Sequence, residues 1–152
     1  MKTVLVPVDF SSETARVCDA AAALAKRINA RLVFFHVVLP PPAAMSNYWG
    51  LEPSTVADAV IAGEEFATNA LRTLGQRYAK SGHAVQTAQQ IGPAAPAILA
   101  KAASGKAVYI VIGSHGHGAV YDLLVGSTTS GVLRDAPCPV LVVPMRPARA
   151  RR

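Results

Sequence analysis

Only two cysteines, Cys18 and Cys138, occur in this 152-residue chain, and they form no framework pattern. The fold must therefore stand on its hydrophobic core. A chain of this length is enough for one domain, which buries roughly 70% of its unfolded surface without disulfides or a metal. Long apolar runs are also missing. The uncharged stretch Leu32 to Leu51 holds Pro40, Pro41, Pro42, Ser46 and Asn47, which argues against a membrane-spanning helix. The opening "KTVLVPVDF" is interrupted by Pro7 and Asp9, unlike a secretory leader. A cytoplasmic, reducing location is the expectation.

Basic charge is present but misplaced for nucleic-acid binding. The formal charge of +6 falls to +2 without Arg146, Arg149, Arg151 and Arg152, all in the terminal "RPARARR". The body is nearly neutral, and residues 146–152 are expected to be a disordered, solvated tail behind a single domain of residues 1–145. Neither specific nucleic-acid binding nor a membrane role is expected.

A lysine is conspicuously lacking from "GSHGHGAVYDLLVGSTTSG", Gly113 to Gly131. Glycines after an apolar strand indicate close approach to the backbone. A phosphate held here would not be held as a P-loop holds one.

Four β-branched runs are nearly continuous in apolar residues: "TVLVPV", "RLVFFHVV", "AVYIVIG" and "CPVLVVP". Such runs suit strands covered on both faces of a parallel sheet. A weaker fifth, "HAVQTAQQI", lies between Gly82 and Gly92. Helical spacing fills the gaps. The first helix, capped by Ser11 or Ser12, carries Val17, Ala21, Leu24, Ala25 and Ile28. The second runs from about Ser54 to Gly82, the third starts near Pro96, and the fourth spans Gly126 to before Pro137. The order βαβαβαβαβ predicts an α/β fold, an open doubly wound five-stranded, mostly parallel, Rossmann-like sheet with helices on both faces. Residues 39–53, "LPPPAAMSNYWGLEP", read as a long variable loop, either a lid or partner surface or an insertion packed on itself.

Ligands of such sheets bind beyond the carboxyl ends of the strands, where strand order reverses. Two loops have suitable chemistry, "PVDFSS" after the first strand and the lysine-free motif after the fourth. Gly113 and Gly116 are expected to take positive φ and bring the main chain near a ligand. Gly126 opens a helix followed by Ser127, Thr128, Thr129 and Ser130. Main-chain N–H groups at a helix start, with rotatable hydroxyls, make an anion site. Mg²⁺ on the phosphates would supply the missing positive charge.

The segment "GSHGHGAVYDLLVGSTTSGVLRDAPCPVLVVP", with "TVLVPVDFSSET" and "RLVFFHVV", resembles the ATP-binding branch of the universal stress protein family. The resemblance spans nearly the whole chain except the Pro-rich loop and the Arg tail. It implies a small adenine nucleotide alpha hydrolase-like sandwich that binds ATP, usually as a homodimer, and acts in stress adaptation without robust turnover. On that resemblance Pro7, Val8 and Asp9 lie beside the adenosine, with the acid on the ribose. The backbone of Val37 meets the adenine edge. Ile112, Gly113, Ser114, His115 and Gly116 line the ribose and phosphates, and Gly126, Ser127, Thr128 and Thr129 take phosphate oxygens. His117 stands where many relatives have a basic residue, so the phosphate grip is expected to be weaker and pH-dependent. ATP, ADP and AMP all remain open as ligands, with Mg²⁺ positioned on the protein side by Asp9 alone.

Other classes are weaker. His115 and His117 as metal ligands have only Asp122 nearby as a third. Cys138, between Pro137 and Pro139, reads as a small buried residue rather than a redox group. No G-x-S-x-G elbow surrounds Ser114. With no general base apparent, the chain is not expected to be an enzyme, slow ATP hydrolysis at Asp9 apart. A nucleotide-free assembly module is the third alternative. The last strand, Val140 to Val143, is expected at a sheet edge and to pair with its copy in a second subunit; a further protein partner is unidentified.

Overall fold

The computed structural model describes residues 1–40, 53–115 and 125–144. The Pro-rich loop and the Arg tail lie almost wholly outside them. Among the described residues five strands and four helices alternate: β1 (Lys2–Pro7), α1 (Thr14–Ile28), β2 (Ala30–Val38), α2 (Pro53–Lys80), β3 (Val85–Ile91), α3 (Ala94–Ser104), β4 (Ala107–Gly113), α4 (Ser127–Asp135) and β5 (Val140–Val143). The strands form one sheet in the order β3-β2-β1-β4-β5, and every pairing is parallel.

The continuous apolar runs become the inner strands because both of their faces are covered. Val4, Val6, Val8 and Phe34 pack with Val17, Ala21 and Ala25 of α1 and with Leu71 and Tyr78 of α2. On the opposite face Leu5, Val33, Phe35, Ile110 and Ile112 pack with Ala97, Ile98 and Ala102 of α3 and Val132 of α4. The weak fifth run becomes β3, an edge strand with four of its seven residues exposed. Its polar composition fits that position, since an edge strand shares only one side with a neighbour.

Helix ends explain where local signals mislead. Neither Ser11 nor Ser12 caps α1: Glu13 flanks the helix with no side-chain cap. Asp9 organises the approach instead, its Oδ1 accepting from the Ser11 N–H at 3.0 Å and the Thr14 hydroxyl at 3.3 Å. At the other end Asn29 adopts the left-handed conformation and its N–H returns to the Ala25 carbonyl, a role asparagine tolerates better than most residues. α3 begins at Ala94, before Pro96, because Pro93 takes the extended N-cap conformation. Pro96 then occupies the third helical position, where its missing N–H costs no helical bond. Cys18 is buried, whereas Cys138 is half-buried.

The sheet order places the reversal between β1 and β4. From β1 the chain moves outward to β2 and β3, then returns to β4 on the other side. The loops leaving β1 and β4 therefore diverge and open a crevice. Among the described residues no helix is long and apolar enough to cross a membrane.

Candidate functional site

A cavity of about 530 Å³ occupies that crevice, within the roughly 300–1,000 Å³ usual for small-molecule sites. Pro7, Val8 and Asp9 from the β1 exit, Val37 from β2, and Ile112, Gly113 and His115 from the β4 exit all line it. Gly126, Ser127, Thr128 and Thr129 enter from the start of α4. Eleven of the residues singled out in the sequence thus meet in one cavity. Ser114 is absent from the lining and is buried behind it. Gly116 and His117 lie outside the described residues, as does Asp122.

Ser114 ties the wall together. Its N–H donates to the Val143 carbonyl at 2.8 Å, and its carbonyl accepts from the Gly126 N–H at 2.7 Å. The buried Thr129 hydroxyl donates to the Gly113 carbonyl at 2.7 Å. A hydroxyl has one proton, so Thr129 braces the end of β4, and Ser127 and Thr128 are left as the hydroxyls for a ligand.

Gly113 does not need positive φ, contrary to expectation; among the described glycines only Gly82 and Gly92 have it. A Cβ at Gly113 would sit 3.3 Å from the His115 carbonyl and 3.4 Å from Val17 Cγ2, so closeness is what the glycine provides. The turn after β1 is made by Phe10 at φ 59°, without glycine. Gly126 has φ −69° and a Cβ there would make only ordinary contacts, the nearest 3.5 Å from the Ser114 carbonyl. The fold does not require glycine at 126.

The β2 side presents main chain. The Val8 N–H donates to the Phe35 carbonyl at 2.9 Å, whereas the Val38 carbonyl accepts from Gly92 across the sheet. Main-chain direction repeats every two residues along a strand. Val37 therefore faces the β1 side, just past the point where β1 has ended, where a planar base edge can reach it. Beside it, the His36 Nδ1 lies 2.7 Å from the Val8 carbonyl. A carbonyl only accepts, so Nδ1 carries the proton and Nε2 is the acceptor in the neutral ring. Phe10 stacks on this imidazole, with ring centroids 4.6 Å apart.

The lining also contains groups to which the sequence reading assigned no ligand contact: Ser11, Glu13 and Thr14 at the start of α1, His36, and Ala94 and Ile98 of α3. Only topology reveals them, because α1, α3 and α4 all begin at the same edge of the sheet. His115 has its Nδ1 3.1 Å from Ser114 Oγ, while its buried Nε2 has no partner among the described residues. A buried, unsatisfied polar atom is costly and fits a site that receives a polar ligand. No group of three or more potential metal ligands exists among the described residues.

Comparisons with known proteins agree with this architecture. The sequence model of the universal stress protein family matches residues 1–144. A universal stress protein from Thermus aquaticus, from the region 3′ of the QAH/OAS sulfhydrylase gene, is 33% identical over 151 residues, covering 93% of this chain and 98% of its own. The structure of the universal stress protein UspA from Lactobacillus plantarum is 28% identical with a TM-score of 0.79, covering 93% and 97% of the two chains. A universal stress protein solved in complex with cAMP is 25% identical with a TM-score of 0.68, covering 93% and 96%. The chain belongs to the universal stress protein family.

Proposed function

We propose that this protein binds ATP, or ADP or AMP in its place, and acts as a nucleotide-dependent regulator of the stress response, as a homodimer and without rapid turnover. The observation that carries the reading is one cavity shared by the Val37 main chain, the Asp9 carboxylate and the amino end of α4. The adenine edge meets Val37, the ribose hydroxyls meet Asp9, and phosphate oxygens meet the amides and hydroxyls from Gly126 to Thr128. The relative solved with cAMP supports an adenine nucleotide as the ligand class.

The donor set fits a nucleotide phosphate: a helix start, two hydroxyls and the buried Nε2 of His115, which has no partner among the described residues. For Mg²⁺ the described lining offers the carboxylates of Asp9 and Glu13 alone, so the ion would be carried on the phosphates and neutralise their charge. Asp9 Oδ1 already accepts from Ser11 and Thr14, which suits a positioning group better than a base that activates water.

The dimer reading rests on β5, at the sheet edge. Val140 and Val142 already pack on the α3–α4 side, and Val143 is buried. Pairing with a second β5 would chiefly cover Leu141, 41% exposed, and the edge main chain.

Acid precipitation of freshly purified protein, with anion-exchange analysis of the supernatant, tests the reading. Adenine nucleotide approaching one per chain is the expected result. A nucleotide-free supernatant, together with no binding of added Mg-ATP, would favour an assembly module instead.

A further inference from the structure

The cavity wall is acidic where a polyphosphate would be expected to meet cations. Its described lining contains the carboxylates of Asp9 and Glu13 and neither lysine nor arginine. Residues 116–124, "GHGAVYDLL", add an aspartate and no lysine or arginine to the chain between β4 and α4.

Glu13 is placed at the phosphate end by three relationships. It lies one helical turn before Val17, on the same face of α1, and Val17 packs 3.4 Å from where a Gly113 Cβ would be. Its carbonyl accepts from the Val17 N–H at 3.1 Å, which fixes that turn. Its side chain is 20% exposed, and its Oε2 lies 3.8 Å from Arg16 Nη1. Arg16 does not line the cavity, and the same Nη1 donates to the Pro144 carbonyl beyond β5. Arg16 thus shares its guanidinium between Glu13 and the Pro144 carbonyl without lining the cavity, whereas Glu13 is part of the lining.

Helix dipoles and amides attract an anion, but each such contact is weak and falls off within one turn. Two carboxylates in a partly desolvated cavity repel every further charge on the ligand. The penalty grows with phosphate number. A cyclic monophosphate carries one negative charge, whereas a triphosphate carries several and relies on a divalent cation.

We propose that Glu13, with Asp9, makes net ligand charge the property this site selects: low-charge adenine nucleotides bind unaided, and ATP binds only as its divalent-cation complex. Glu13 is the specificity-determining residue. The proposal rests on the nucleotide reading above and concerns which nucleotide, in which ionic form, the site accepts.

The test is calorimetric titration of the full chain with cAMP, AMP and ATP, each in excess EDTA and in excess Mg²⁺. In EDTA, cAMP should bind at least about tenfold more tightly than ATP, and Mg²⁺ should strengthen ATP far more than cAMP. In Glu13→Gln the metal-free ratio of ATP to cAMP affinity should rise several-fold. Metal-free ATP binding as tightly as cAMP would overturn the proposal, as would an unchanged ratio in a folded Glu13→Gln. The wild-type comparison holds even if the variant does not fold. Binding of none of the three in either buffer would instead remove the nucleotide reading itself, and this inference with it.

Discussion

Thr129 and Gly113 are sixteen residues apart, and the Thr129 hydroxyl donates to the Gly113 carbonyl at 2.7 Å inside the protein. This bond joins the first turn of α4 to the last residue of β4. The Gly126 N–H, donating to the neighbouring Ser114 carbonyl at 2.7 Å, reinforces it along the same seam. The helix start that would receive a phosphate is thus anchored to the sheet rather than to a loop.

Thr129→Val removes the donor and leaves the part-buried Gly113 carbonyl without this partner. We expect a loss of about 1–3 kcal/mol in urea denaturation, and a smaller loss for Thr129→Ser, which keeps the hydroxyl. Equal stability of the valine variant and the parent would show that the seam is held by other contacts.

At Gly126 the opposite separation is expected. The backbone there suits any residue, and a Cβ meets nothing closer than 3.5 Å. Gly126→Val should therefore melt within a few degrees of the parent while losing at least about tenfold in Mg-ATP affinity, because its branched carbons occupy the phosphate end. A variant that unfolds would mean that glycine serves the fold at this position after all.

Alkaline pH should weaken the fold through two buried acids. Burial, with the Asp19 carboxylate beside it, raises the Cys18 thiol from 9.0 to about 12. Burial and the hydrogen bond to Asp19 raise the Tyr78 phenol as well. Both groups keep their protons in the folded chain at pH values where the unfolded chain loses them. Their contribution is complete below the unfolded values and declines as pH rises from about 9 towards 12, by up to about 1.4 kcal/mol per pH unit from Cys18. Urea melts at stepped pH should show this decline, shallower in Cys18→Ala. A flat profile in the parent over this range would contradict the assignment.

Edge pairing makes Leu141 the exposed apolar residue at issue. Sedimentation at micromolar concentration should show a dimer for the parent and a shift towards monomer for Leu141→Lys, because charge on an edge strand opposes pairing. A parent that sediments only as monomer would remove β5 as the interface.

The sheet was legible because inner parallel strands are apolar without interruption, as in Val4 to Val6 and Ile110 to Ile112. So was the amino end of α4, where glycine and hydroxyl residues follow a strand exit. The turn at Phe10 was not, since left-handed backbone there carries no glycine and depends on packing against His36 and Phe66. Glu13 lies inside "TVLVPVDFSSET", yet nothing local marks it as part of the wall. Its place in the wall follows from where α1 begins relative to β4, a relationship between elements far apart in sequence. Thr129 lines the same cavity as Ser127 and Thr128, and only the distance to Gly113 shows where its proton goes.

The most direct test of the central claim is calorimetric titration of the full chain with Mg-ATP, alongside Asp9→Ala. Saturable binding near one nucleotide per chain, weakened by about 1–3 kcal/mol in Asp9→Ala, is the predicted result. Absence of binding by the parent, or equal affinity in the variant, would contradict the site built on the β1 and β4 exits.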